Sequence, residues 1–361
     1  MTTTNAPKEA GSGSRRRNAR TSTTFFQRRL QHYRHLTVEA LRDLIPGQGP
    51  PFLYDLVSVY PLRQGKALRA ALCMATCAAF GGSAHRALTS AVALELLHNA
   101  FLIHDDVQDG SESRRGAPTL HREHGIPIAI NVGNATNLLA LQRLMENRDL
   151  LGPDLSWKVF QETKEMMRHS LEGQALELGW IRGNVTQLAV RDYLHMCLKK
   201  TSWYSFIYPM RVGALIAQSG HLDAGQFCRF GWYFGAAFQI QDDILNLTGD
   251  YGKYGKEIGG DLLEGKRTLM LIHLLKHCSV NDRRRLRRFL TQPRVDRTQS
   301  DVDWVYRRMG EHGGLDYARR TARQLAGAAL FEGLAAFRGI PDSDDKRFIL
   351  EMILYVVNRD R

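Results

Sequence analysis

Two acidic clusters lie 137 positions apart in this chain, each inside an apolar stretch of helical period. The first is His104-Asp105-Asp106-Val107-Gln108-Asp109, preceded by Leu94, Leu96, Leu97, Phe101, Leu102 and Ile103. The second is Phe238-Gln239-Ile240-Gln241-Asp242-Asp243-Ile244-Leu245-Asn246, preceded by Phe234, Ala236 and Ala237. A buried carboxylate without a compensating charge costs more than a domain can spare. Any fold this chain adopts must therefore bring positive charge to both clusters. At i and i+4, Asp105 and Asp109 share one helix face about 5–6 Å apart. That pairing suits a hard divalent cation with oxygen ligands. Two such faces across a cavity would hold several Mg²⁺ ions, and the ions would hold a diphosphate.

From Phe25 onward the helical period is almost unbroken. It predicts helices over 24–45, 63–80, 85–109, 127–149, 154–180, 187–220, 222–247, 266–278, 281–291, 300–312, 314–333 and 342–358. Gly and Pro punctuate the joints, as at Pro46-Gly47, Gly81-Gly82 and Gly152-Pro153. Alternating strand segments are not seen. The expectation is an all-α, single-domain helical bundle with a central cavity over 24–361. Residues 1–23, rich in Thr, Ser, Gly and Arg, read as a disordered basic tail.

The net charge of +12 favours acidic partners. Part of it sits in the tail, at Arg15, Arg16, Arg17 and Arg20, and part in Asp282-Arg283-Arg284-Arg285-Leu286-Arg287-Arg288. These runs read as a solvated tail and a solvated helix face. No nucleic-acid module accompanies them, so no nucleic-acid partner is expected. The five cysteines are scattered and form neither a zinc signature nor a disulfide framework, which points to a reducing cytoplasm. No signal-peptide core is expected, nor an apolar run long enough to span a membrane.

Basic residues follow both clusters. Arg114 and Arg115 come directly after the first, and an arginine fork matches phosphate oxygens. A salt bridge from these arginines to Asp106, Asp109 or Glu112 is the open alternative. Gly255-Lys256-Glu257-Ile258-Gly259-Gly260 and Gly265-Lys266-Arg267-Thr268 follow the second, as a glycine-rich loop able to close over phosphate. Its spacing is not that of a P-loop. Trp203, Tyr204 and Tyr208 read either as core or as aromatic faces for a carbocation.

Together these segments resemble the trans-isoprenyl diphosphate synthases, the polyprenyl synthetase family, from about Gly65 to Thr268. The resemblance is carried by Gly65-Lys66-Ala67-Leu68-Arg69, Glu95-Leu96-Leu97-His98 and the short-form first aspartate-rich motif Asp105–Asp109. It continues through Arg114-Arg115-Gly116-Ala117-Pro118-Thr119, Gly173-Gln174, Lys199-Lys200-Thr201 and Phe238-Gln239 to Asp242-Asp243. It implies condensation of isopentenyl diphosphate with an allylic diphosphate by a homodimer. It further implies three Mg²⁺ ions on Asp105, Asp109 and Asp242, with Asp243 supporting. Arg114, Lys200, Lys256 and Gln239 would then hold the allylic side, and Thr201 and Lys266 would also bind substrate. Lys66, Arg69, His98 and Arg115 would hold isopentenyl diphosphate.

Four departures stand out: Asn246 and Asn134 where the family often has aspartate, and Ala70 and Met270 where proline is common. Asn134, Asn246 and the aromatics at 203–208 leave open a class I terpene cyclase on the same fold; a non-catalytic subunit of a heteromeric synthase is the other alternative, against which the intact acidic motifs argue. The growing tail is expected to run from Asp105 towards the start of its helix, past Phe101, Ala100 and Leu97. Bulky Phe101 beside small Ala100 predicts a medium-length product, geranylgeranyl diphosphate in preference to farnesyl diphosphate.

Overall fold

The computed structural model describes residues 24–63, 65–221, 223–249 and 258–357. The expected tail at 1–23 and Lys256 lie outside the described residues. The helices of eight residues or more are α1 (Phe25–Leu44), α2 (Leu68–Ala79), α3 (Ala84–Asp109), α4 (Ile126–Met145), α5 (Pro153–Arg182), α6 (Val190–Cys197), α7 (Tyr208–Ala217), α8 (Phe227–Thr248), α9 (Leu269–His277), α10 (Val280–Thr291), α11 (Gln299–Glu311), α12 (Gly314–Ala336) and α13 (Asp344–Val357). The fold is the expected all-α bundle. The described strands are two-residue segments, Ser113–Arg114 and Ala117–Pro118, paired as an antiparallel hairpin.

The axis of the bundle is α3. Every residue from Thr89 to Ala100 is buried, so this helix is enclosed on all sides. It packs along α4 on one flank and against α2 on another, while α8 packs along α12. By length and composition α3 is apolar enough to cross a membrane, contrary to the sequence expectation. Yet 78% of its most apolar window is buried inside the bundle, so its hydropathy is that of a core helix. The core has two lobes. One gathers α1 to α5, α7, the first part of α8, the second half of α12 and α13; the other gathers α6, the end of α8, α9 to α11 and the first half of α12. Both acidic clusters lie near helix ends beside this division.

Two local features depart from the predicted helices. The window 63–80 begins its helix only at Leu68, because Ala67 is left-handed (φ 48°), which leaves Lys66 in a loop. The window 187–220 contains a π-helical stretch, Leu198–Ile207, between α6 and α7. Such stretches are rare and cluster at functional sites. Pro209, which has no N–H to donate, is the second residue of the helix that follows. Three glycines seat this stretch. A Cβ on Gly173 of α5 would overlap the Lys200 backbone, one on Gly235 would overlap Ser202, and one on Gly231 would meet Ile207. No side chain separates the helices at these points.

Gly173→Ala therefore inserts a methyl where backbone must move, a cost of about 1–3 kcal/mol. Thermal unfolding followed by circular dichroism should show a lower Tm. Turnover should fall in the same variant, because Lys200 shifts with its backbone. An unchanged Tm would contradict the close approach.

Candidate active site

Gly110 is left-handed (φ 64°) and stops α3 directly after Asp109. The three aspartates of the first cluster have three different surroundings. Asp106 is buried and committed. The Tyr60 hydroxyl donates to its Oδ2 (2.6 Å), and Arg114 Nε donates to both oxygens (3.0 and 3.1 Å). Of the two readings open for Arg114, the structure shows the ion pair. The hairpin that carries it turns through Arg115 (φ 55°) and Gly116 (φ 76°). Asp105 is more accessible. It is met by Lys200 Nζ at 3.3 Å, Gln174 Nε2 at 3.1 Å and Arg114 at 3.9 Å. Asp109 is buried and pairs with Lys266 Nζ at 2.7 Å. Burial, and then the like charge of Asp105, push its carboxyl up to about 7.

The two lysines each serve several acids. Lys200 also pairs with Glu177, and Lys266 with Glu264 (2.6 Å) and Asp261 (3.6 Å). Burial works against the charge of both lysines. For Lys200 the carboxylates of Asp105 and Glu177 outweigh it, and for Lys266 those of Asp109 and Glu264 do; both ammonium groups are held well above their ordinary range.

The second cluster is tied to the first through these same residues. Thr201, next after Lys200, donates to Gln239 Oε1 (2.6 Å), and Gln239 Nε2 donates to Asp243 Oδ1 (2.8 Å). The Tyr193 hydroxyl donates to the other Asp243 oxygen (2.7 Å). Burial and the nearby Asp261 hold the Asp243 carboxyl well above the usual range. Asp242, its neighbour on α8, is half-buried. A second tie runs from Lys266 to Asp261, whose backbone N–H donates to Asn246 Oδ1 (3.0 Å). Asn246 thus anchors the start of the segment that carries Lys266. Asn134, the other departure, is exposed on α4.

A separate cationic cluster lies further back along α3. Arg69 NH1 lies 3.2 Å from His98 Nε2, Arg69 Nε donates to Ser205 (3.1 Å), and Arg69 NH2 donates to the Tyr204 hydroxyl (3.0 Å). Gly65 packs against the Arg115 guanidinium, which donates to Tyr60 O (2.8 Å). Lys66 Nζ stands 5.3 Å from the ring centre of Tyr355. Between Arg69 and Arg115 is Glu95, fully enclosed, with its carboxyl raised by burial against the pull of both arginines. Leu97 and Ala100 are buried in α3, and Phe101 meets the Tyr204 ring edge-on at 5.7 Å.

Among the described residues no three His, Cys, Asp or Glu side chains converge as a ready-made metal cage. The donor set still fits Mg²⁺. Its oxygens are hard carboxylates, Asp105 keeps an accessible edge, and the partners now facing Asp105 and Asp109 are flexible ammonium groups. Such ions are usually held by one or two carboxylates together with substrate phosphate.

Fold and site define an all-α protein with two linked acidic helices and two cationic clusters. The profile of the polyprenyl synthetase family matches residues 50–309, and the chain belongs to that family. It is 32% identical over 258 residues to a geranylgeranyl diphosphate synthase of Sulfolobus acidocaldarius, covering 71% of this chain and 77% of the relative. Its fold is similar to the crystal structure of geranylgeranyl pyrophosphate synthetase from Pyrococcus horikoshii, with a TM-score of 0.79, 30% identity and coverage of 93% and 98%. It is also similar to a polyprenyl synthase of Caulobacter crescentus crystallised with calcium and isoprenyl diphosphate, with a TM-score of 0.81, 25% identity and coverage of 95% and 100%. The chain is a trans-prenyltransferase that condenses isoprenoid diphosphates, closely related to geranylgeranyl diphosphate synthases.

Several contacts in the site were not assigned from sequence. Glu177 and Gln174 lie three residues apart on α5 and meet Lys200 and Asp105. That spacing of polar residues was the available signal. Tyr60, Glu264 and the anchoring amide of Asn246 carry no such signal.

The contrast between Asp106 and Asp105 is testable. Asp106→Ala strands the Arg114 charge and should cost about 3–5 kcal/mol in urea unfolding. Asp105→Asn leaves Lys200 paired with Glu177 and should cost about 1 kcal/mol or less. Equal losses would refute the division of roles.

Proposed function

We propose that this chain is a Mg²⁺-dependent geranylgeranyl diphosphate synthase that extends allylic diphosphates with isopentenyl diphosphate. The observation that carries this reading is the presence of two separate cationic clusters along α3. One, Lys200 and Lys266, faces Asp105 and Asp109; the other, Arg69 and Arg115, flanks Glu95 near His98. Two diphosphate substrates need two such clusters, whereas a cyclase acting on one substrate needs one.

In this reading Asp105, Asp109 and Asp242 hold three Mg²⁺ ions, and Asp243 supports them by fixing Gln239. Held there, Mg²⁺ would supply the positive charge that makes the allylic diphosphate a better leaving group. Lys200, Lys266 and Lys256 neutralise the allylic diphosphate, and Thr201 and Gln239 orient it. Arg114 acts through Asp106 and Asp105. Lys66, Arg69, His98 and Arg115 place isopentenyl diphosphate at near-attack distance. The allylic C–O bond breaks, and the isopentenyl double bond attacks the cation. The released diphosphate takes the proton, since no side chain stands out as the base. Apolar walls keep water from the cation.

The names of the Sulfolobus acidocaldarius and Pyrococcus horikoshii relatives support geranylgeranyl diphosphate, as do Phe101 and Ala100 under Asp105. We assign the working form as a cytoplasmic homodimer without a nucleic-acid partner. Its support is an apolar face on α4 and α5, where Leu138 and Met145 are 56% and 73% exposed and Trp157 stacks on Phe160. Leu138→Asp should shift the protein to monomer in light scattering.

Incubation with Mg²⁺, isopentenyl diphosphate and primers of rising length, read by product mass, tests the whole reading. The expected product is geranylgeranyl diphosphate, lost in EDTA and in Asp105→Ala, Asp109→Ala and Asp242→Ala. Phe101→Ala should lengthen the product and Ala100→Phe should shorten it. A hydrocarbon or alcohol formed without isopentenyl diphosphate would overturn it.

A further inference from the structure

Charge is very unevenly spread in this chain. Residues 276–323 contain thirteen Lys and Arg against six Asp and Glu, which is +7 of the net +12. Helix α10 is the centre of that excess. Its inner face, Leu286, Phe289 and Leu290, is buried in the second lobe of the core. Not all its arginines are available. Arg283 Nε donates to Leu275 O (2.9 Å) and caps α9, while Arg285 lies 4.0 Å from the centre of the Trp304 ring and 3.9 Å from Asp301.

Arg284, Arg287 and Arg288 are different. They are exposed and share the outer face of α10 at i, i+3 and i+4. Among the described residues none of them has an acidic partner at ion-pair distance. The acids of these elements lie at the margins. Asp282 bonds the capping Ser279 (2.9 Å) and faces Arg308, and Asp296 lies in the turn after the helix. Apolar side chains frame the arginines. Val280, one turn before Arg284, is 70% exposed, and Val295, just beyond the helix, is 90% exposed. The same turn borders the site: Arg294 packs on Gly110, the stop of α3, and lies 3.7 Å from Glu264.

We propose that the outer face of α10 is a docking surface for an anionic lipid bilayer. Three arginines without an acidic partner, of which Arg287 keeps one neutral contact from its Nε to Thr186 (3.2 Å), meet lipid phosphates, and Val280 and Val295 enter the headgroup boundary. Such a mixed basic and apolar face suits an interface better than a nucleic acid, which rewards charge and aromatic stacking. The geometry brings the diphosphate end of the site near the surface that would receive an amphiphilic product. Docking does not depend on which product is made.

The test is flotation of the full-length protein with phosphatidylcholine vesicles, with and without phosphatidylglycerol. Binding should require phosphatidylglycerol and weaken as salt rises. Arg284→Glu/Arg287→Glu/Arg288→Glu should lower the partition constant by at least ~10-fold, with turnover on soluble substrates unchanged. Val295→Asp, in an exposed turn, should also weaken it, which a purely electrostatic polyanion site would not show. The proposal is overturned if anionic vesicles are not bound. It is overturned equally if binding survives the triple variant and is lost only when Arg15, Arg16 and Arg17 are changed to Glu. Retention of RNA by the protein, displaced by the triple variant while vesicles are ignored, would assign the face to nucleic acid instead.

Discussion

Two largely buried lysines, each shared among several carboxylates from different helices, are what the rest of the site depends on. Lys200 joins Asp105 of α3 to Glu177 of α5, and Lys266 joins Asp109 to Glu264 and Asp261. Without them the acids would repel, and burial would protonate them. With them, a region dense in negative charge can sit beside a large apolar core. The lysines are also movable, which an arginine fork is not. A cation and a diphosphate can take over their carboxylates without disturbing the structural pair between Arg114 and Asp106.

The π-helical stretch makes this arrangement possible. It puts Lys200 on the first cluster and the adjacent Thr201 on Gln239 of the second. Gly173, Gly231 and Gly235 let α5 and α8 close on it without intervening side chains. The same stretch carries Tyr204, which touches Arg69 of the second cationic cluster and Phe101 on the expected tail path. One irregular segment therefore contacts the groups assigned to both substrates.

Much of this was legible in the sequence. Long helical periods placed α1, α3, α5 and α10 to within a few residues, because apolar spacing reports a buried face directly. The buried carboxylates predicted cations nearby, and Lys200 and Lys266 are there. Less was legible where the backbone departs from its default. The left-handed Ala67 cut short the helix predicted from 63, and the π-helix has no pattern that side-chain spacing reveals. Length alone misjudged α3, whose membrane-like hydropathy reflects enclosure on every side. Arg114 could be read as phosphate contact or salt bridge, since choosing needs the position of Asp106 in three dimensions. Asn246 stood out only as a departure from aspartate, and its bond from the Asp261 N–H gives it a structural task.

The central claim is that the lysine-bridged carboxylates form one site that takes metal and diphosphate together. Thermal unfolding with Mg²⁺ alone, inorganic diphosphate alone and both together tests it most directly. The account predicts a rise of several degrees only for the combination, since a ligand stabilises by binding the folded state and a few kcal/mol moves Tm by that much. It also predicts that Asp105→Asn and Asp242→Asn each abolish the rise. An equal rise with diphosphate in EDTA, or a full rise in both variants, would contradict it.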